Sequence, residues 1–188
     1  MPAIVWQDGV LRLLDQRRLP LEIVYLDCPN HSAVADAIKK MVVRGAPAIG
    51  SAAAYGLLLA ARVYAACSAS QTFDHFKQQL ALAAEELRST RPTAVNLEWA
   101  LRRLLTAVDQ TGSPVEAVQV LEREAALIAS EDIEANRAIG KFGAALVKDG
   151  ANIITHCNAG ALATVDYGTA LGVIRSAHED GKRIHVYA

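Results

Sequence analysis

The 188-residue chain has few cysteines, few aromatic residues and almost no uncompensated charge. Its three cysteines, Cys28, Cys67 and Cys157, stand far apart with no C-x-x-C pair. An odd number at such spacings gives no disulfide framework and no zinc or dithiol motif, and it fits a reducing cytoplasm. A net charge of −1 leaves no basic excess for a nucleic-acid surface. The histidines are scattered, so neither a metal nor another cofactor is expected. No G-x-G-x-x-G, Walker loop, H-E-x-x-H or G-x-S-x-G occurs, which leaves dinucleotide, nucleotide, zinc-hydrolase and serine-hydrolase chemistry without support. The N-terminus lacks the cationic, apolar and small-residue order of a signal peptide. One apolar run, residues 46–67, has the length of a membrane span. It carries Pro47, Gly50, Ser51, Tyr55, Gly56 and Arg62, so a buried core helix is expected and no membrane partner.

Apolar residues make up 52 % of the chain, enough for a packed core. Residues 3–28 read as a small antiparallel sheet of about three strands. Asp8-Gly9 is a hairpin dipeptide, and residues 21–26 form the third strand-like run. From residue 32 the period changes: Val34, Ile38, Met41 and Val42 share one helix face, and Gly45 is placed to end that helix. Pro47 suits the first turn of the next helix, which runs to about Cys67. A third helix over residues 72–88 turns Phe73, Phe76, Leu80 and Leu87 inward. A fourth carries Leu97, Leu101, Leu104, Leu105 and Val108 on one face. Ser113-Pro114-Val115-Glu116 is a capping box that opens a helical stretch to about Lys148, with a break near Ser130.

Residues 151–156 then read as a buried strand, 164–179 as a helix and 183–188 as a second strand, together one βαβ unit. Two parallel strands cannot form a stable sheet alone, so their partners are expected beyond Ala188 or on another chain. The expected class is α/β. Residues 1–148 form an N-terminal domain with strands in 3–28 and helices in 32–148, and 149–188 form the start of a Rossmann-like domain, apparently truncated.

Three motifs can carry chemistry. Arg44-Gly45-Ala46-Pro47 places a guanidinium and small residues just before a helix, where free N–H groups and the dipole favour an anion. The same pattern also suits a plain helix joint with a solvated arginine. Arg91-Pro92-Thr93 repeats the logic, with Thr93 also a simple N-cap candidate. Cys157 follows an apolar strand and precedes Asn158 and Gly160, at the kind of strand end where open α/β sheets bind ligands. A helix N-terminus nearby would lower its pKa, although a buried inert thiol has the same sequence appearance.

At these motifs the chain resembles the methylthioribose-1-phosphate isomerases of methionine salvage. The residues concerned are Arg44-Gly45-Ala46-Pro47-Ala48-Ile49-Gly50, Arg91-Pro92-Thr93-Ala94-Val95-Asn96-Leu97 and the run from Thr155 through Cys157 to Thr164, continued by Tyr167-Gly168-Thr169-Ala170-Leu171-Gly172. Archaeal ribose-1,5-bisphosphate isomerases and regulatory subunits of a translation initiation factor are related to that family and stand as alternatives. The resemblance implies a cytoplasmic homodimer that converts 5-methylthioribose 1-phosphate to 5-methylthioribulose 1-phosphate. It implies that Arg44, Gly45, Ala46 and Arg91 bind this sugar phosphate and that Cys157 is catalytic. It also implies that the family's catalytic aspartate falls beyond Ala188, so that this chain alone is expected to be inactive.

Overall fold

The computed structural model describes residues 1–67 and 72–188. Strands β1 (Ile4–Gln7), β2 (Val10–Leu14) and β3 (Tyr25–Cys28) form an antiparallel sheet in that order. Gln7 pairs with Val10 across Asp8 and Gly9, whose φ values of 52° and 78° are those a two-residue hairpin needs. Ile4, Leu11, Leu13 and Cys28 are buried beneath the sheet. The third strand starts later than the sequence suggests, and Leu21 and Ile23 are exposed. Buried Asp15 accepts both the Arg17 N–H (3.1 Å) and its guanidinium (2.7 Å), which turns the chain into a loop before β3.

Helix α1 (His31–Lys39) is capped by Asn30, whose side chain accepts from the Ala33 N–H at 2.8 Å. It ends earlier than expected, and Gly45 is not its terminator. Met41 adopts φ 57°, its N–H donates to Ile38 O, and the Val42 N–H donates to Ala37 O at 2.9 Å. This is the Schellman geometry, with methionine where glycine is usual. Gly45, at φ 99°, instead precedes α2 (Ala46–Ala66). That helix is buried from Ala48 through Ala61 and is the core of the molecule, as its all-round apolar sequence requires.

Helices α3 (Phe73–Ser89), α4 (Val95–Val108) and α5 (Pro114–Leu146) pack round α2. Thr72 caps α3, but Ala94 rather than Thr93 occupies the N-cap of α4 and gives it no side-chain bond. Ser113 caps α5 by accepting the Glu116 N–H at 3.3 Å, while Glu116 reaches back to the Gly112 N–H at 2.8 Å. Helix α5 continues through Ser130, whose hydroxyl donates to Leu127 O within the helix, so the expected break does not occur. One uninterrupted rod of 33 residues therefore serves two regions. Leu121, Ala125 and Ile128 join the main core, while Gly140 and Gly143 let α6 (Ala170–Glu179) approach closely.

Strands β4 (Asn152–Ile154) and β5 (His185–Tyr187) pair in parallel, and α6 lies between them in the chain as the crossover. Both strands are shorter than expected, and β4 is less buried than expected. Ile154 and Tyr187 are paired neighbours, yet they are 85 % and 53 % exposed, because no layer of the described residues covers their face. The helix expected from residue 164 begins only at Ala170. The bridge between Gly160 and Gly168 and the φ of 77° at Tyr167 fold residues 164–169 into a loop instead.

Candidate active site at three converging joints

A cleft of about 430 Å³ lies where three connections meet. Arg44, Gly45, Ala46 and Pro47 come from the α1–α2 joint, and Arg91 comes from the α3–α4 joint. Cys157 and Asn158 follow β4, and Thr164 and Thr169 close the far side. All five residues singled out from sequence, Arg44, Gly45, Ala46, Arg91 and Cys157, line this one cleft.

The two halves of the cleft meet because Gly45 lacks a side chain. A Cβ there would stand 2.3 Å from Ala163 O and 2.4 Å from Ala163 Cα. Two hydrogen bonds reinforce the approach. Gln16 donates its side-chain amide to Leu162 O at 2.7 Å, and Asp132 on α5 accepts the Val165 N–H at 2.7 Å. Burial raises the Asp132 carboxyl above its ordinary range, against the opposing pull of the Val165 and Asn136 donors. The loop also closes on itself, because Ala159 O accepts the N–H groups of both Thr169 and Leu171.

The cleft is electropositive by construction. Among the described residues, neither Arg44 nor Arg91 forms an ion pair, whereas nearby Arg88 is held by Glu85 and Glu98. Helices α1, α3 and α5 are capped by their own Asn, Thr and Ser side chains. Helices α2, α4 and α6 receive no side-chain cap. The N-caps of α2 and α6, Gly45 and Thr169, line the cleft, and Arg91 leads into α4. At α6 the Leu171 and Gly172 N–H groups are already taken by Ala159 O and Thr169 O, so it is the start of α2 that leaves first-turn N–H groups to an anion, at the positive end of its dipole. Two guanidiniums without carboxylate partners add the donors that phosphate accepts best.

Cys157 is exposed and has φ 72°, in the left-handed region that a residue with a side chain occupies at a cost. This turn ends the strand and leaves the thiol on the cleft wall beside the start of α6. Among the described residues no group of three or more His, Cys, Asp or Glu side chains is placed to hold a metal ion. Met41, Thr164 and Thr169 also line the cleft, and Gln16 and Asp132 brace it. None of these was singled out from sequence. The i,i+4 pair Asp132 and Asn136 on α5 was the available hint, since two short polar side chains there share a face.

Residues 42–188 match the Initiation factor 2 subunit family. The chain belongs to that family. Within it, the chain is 54 % identical over 183 residues to the methylthioribose-1-phosphate isomerase of Thermotoga maritima, covering 97 % of this chain and 51 % of that protein. Among solved structures it is similar to 5-methylthioribose 1-phosphate isomerase from Pyrococcus horikoshii OT3 (41 % identity, TM-score 0.87, 97 % of this chain and 50 % of that one). It is also similar to the translation initiation factor eIF-2B, subunit delta, from A. fulgidus (49 % identity, TM-score 0.84, 99 % and 53 %). The chain spans about half the length of the curated relatives it matches. Helix α2 is long and apolar enough to cross a membrane, but it is 78 % buried within this fold and is a core helix.

Proposed function

We propose that this chain supplies the phosphate-binding and cysteine-bearing part of a cytoplasmic, homodimeric aldose–ketose isomerase for 5-methylthioribose 1-phosphate. The observation that carries the reading is the single cleft in which Arg44, Arg91 and Cys157 meet. The isomerase relatives, 54 % identical to this chain over the half of their length that it spans, suggest the substrate. Residues 1–148 act as the anion-binding body, and 149–188 bring the thiol to it.

The chemistry uses these groups directly. The phosphate on the anomeric oxygen blocks a free aldehyde until the ring opens, so the ring oxygen must receive a proton. The hydrogen on C2 then moves to C1 and the C2 hydroxyl gives its proton to a base, which balances the proton taken up by the ring oxygen and leaves a ketone at C2. Arg44, Arg91 and the open start of α2 hold the phosphate, and the Gly45–Ala46 backbone lets it approach. Cys157 stands beside the reacting carbons as a proton donor or acceptor, a role typically worth on the order of 100- to 10,000-fold in rate. An acidic partner for the thiol is expected from sequence outside these residues.

Archaeal ribose-1,5-bisphosphate isomerase activity is the runner-up. A regulatory role is favoured by one observation, the 49 % identity to the A. fulgidus protein described as an initiation-factor subunit. The deciding test is an isomerase assay with 5-methylthioribose 1-phosphate on the 188-residue chain and on the longest natural chain containing it. Turnover in the longer chain alone is expected. Turnover in neither, with ligand still bound, would favour the regulatory reading.

A further inference from the structure

The loop that follows β4 holds two of the four non-glycine residues with positive φ among the described residues, Cys157 at 72° and Tyr167 at 77°. A residue with a side chain stays in that region only where its surroundings over-determine it, and such positions gather at functional sites. Cys157 lies on the cleft wall. Tyr167 does not line the cleft, and its side chain is buried against α5 and α6.

The seat of the Tyr167 ring is built from both helices. A Cβ on Gly140 of α5 would stand 2.7 Å from Tyr167 Cε1, and one on Gly172 of α6 would stand 3.2 Å from Tyr167 Cδ1, so bare backbone makes the room. The Arg137 and Arg175 guanidiniums lie 5.1 and 4.9 Å from the ring centroid, within range of its π face. At its far end the phenol donates to Glu179 Oε2 at 2.9 Å. Its single proton is thereby used, so Ser176 Oγ, 2.7 Å away, is the donor into the phenol oxygen. A hydrogen bond to an ionised acceptor is the stronger kind, and among the described residues Glu179 forms no ion pair that would compete for it.

From this seat the backbone runs directly to the thiol. Gly168, at φ 90°, bridges to Gly160, and a Cβ on it would lie 2.6 Å from the Gly160 carbonyl carbon. Ala159 O accepts the Thr169 N–H at 3.0 Å, the Leu171 N–H at 3.2 Å and the Thr169 hydroxyl at 3.3 Å. Ala159 is two residues beyond Cys157. We propose that Tyr167 is a positioning residue for the reaction at Cys157: anchored by Glu179 and Ser176, it fixes Ala159 and Gly160, and through them the left-handed turn that leaves the thiol on the cleft wall. The assignment rests on the isomerase reading above and deepens it. Arg44, Arg91 and the start of α2 bind the phosphate without Tyr167, so loss of the anchor acts on the rate and spares binding.

Tyr167→Phe keeps the ring, its guanidinium contacts and the backbone, and removes only the hydroxyl. In the longest natural chain, with 5-methylthioribose 1-phosphate, kcat should fall about ten-fold or more while KM stays within about two-fold. Amide exchange at Thr169 and Leu171, whose N–H groups report the grip on Ala159, should quicken about ten-fold while exchange in α2 is unchanged. Glu179→Ala should lower kcat about three-fold or more, since Ser176 keeps part of the anchor, and it carries the test if Tyr167→Phe does not fold. Glu179→Gln still offers an acceptor oxygen and should bring kcat back to within about two-fold of the parent. The paired Tyr167→Phe, Glu179→Ala variant should be no slower than Tyr167→Phe alone, as expected of groups that act as one unit. Unchanged kcat in Tyr167→Phe, a fall in kcat without faster exchange, or a rise in KM at constant kcat would overturn the assignment. So would a Glu179→Gln chain as slow as Glu179→Ala. Absence of turnover in the unmodified chain would instead overturn the isomerase reading, and the anchor would then stand or fall on the exchange at Thr169 and Leu171.

Discussion

Replacing Gly45 with alanine tests how the cleft is assembled. Two separate penalties meet at this position. The backbone has φ 99°, where a side chain costs roughly 1–3 kcal/mol. The new methyl carbon would also lie 2.3 Å from Ala163 O. Normal contact distance requires the α1–α2 joint and the Ala161–Ala163 turn to part by about 1 Å. Forcing atoms into a packed site typically adds about 1–3 kcal/mol. The sum, about 2–6 kcal/mol, corresponds to a melting point lowered by roughly 4–24 °C for a chain of this size. Gly150→Ala is the internal control, because Gly150 has φ 78° but nothing within 4 Å of a Cβ. It isolates the backbone penalty, and the difference between the two variants reads the collision. The function should respond more sharply than the fold, since a displacement of about 1 Å at a reacting centre can cost on the order of 100-fold in rate. Thermal melts followed by circular dichroism and calorimetry with a sugar phosphate provide both readouts. Equal melting points for the two variants, together with unchanged ligand affinity in Gly45→Ala, would refute the claim that this contact holds the cleft together.

Cys157→Ser should reduce isomerase turnover at least 100-fold in the longest natural chain while moving the melting point by no more than about 2 °C, because the thiol is exposed; near-normal turnover would remove the thiol from the reaction. Arg91→Ala should weaken phosphate-bearing ligands about ten-fold by calorimetry and flatten their salt dependence, since a charge-assisted donor without a protein partner is lost. Native alkylation at pH 8 followed by mass spectrometry should modify Cys67 and Cys157 and spare Cys28. Burial pushes the Cys28 thiol up to about 11, leaving only about one part in a thousand as thiolate at that pH. The folded state holds that proton more tightly than the unfolded chain, whose thiol has its ordinary value of 9.0, so stability should also decline as pH rises from 9.0 to about 11.

Most of the helical body was legible because its signals are local. The 3.6-residue spacing of Phe76, Leu80 and Leu87 on α3 and of Leu97, Leu101 and Leu104 on α4 marks faces that are buried in the structure. Asp8-Gly9 marked its own hairpin, and Ser113 marked the start of α5. The misread positions are those where tertiary context overrides a local preference. Met41 does what Gly45 was expected to do, because the burial of Val42 stabilises a left-handed turn without glycine. Residues 164–169 are compatible with helix, yet Ala159 O captures the N–H groups of Thr169 and Leu171 and delays α6. The site was legible as three motifs but not as one place. Nothing in the spacing of Arg44, Arg91 and Cys157 says that they meet, and the ties from Gln16 and Asp132 span 146 and 33 residues.

Those ties explain why the cleft can be ordered beside so small a sheet. Strands β4 and β5 are three residues each and cover none of the cleft loop's backbone themselves. The loop after Cys157 is instead fixed from the helical body. Gln16 holds Leu162, Asp132 holds Val165, and Gly45 admits Ala163, while Arg137 and Arg175 lie over the Tyr167 ring. Each hydrogen bond contributes only about 0.5–1.5 kcal/mol, so no single tie suffices. Together they act within the short run 162–167, and loss of one frees its neighbours. Order at Cys157 is therefore a property of α2 and α5 as much as of the strand that carries it. Deleting both side-chain ties in a Gln16→Ala, Asp132→Ala chain should raise amide exchange through residues 159–169 well before the global melting point falls. If exchange there instead tracked global unfolding, the loop would owe its order to the parallel strands, and the helical body would be only a neighbour.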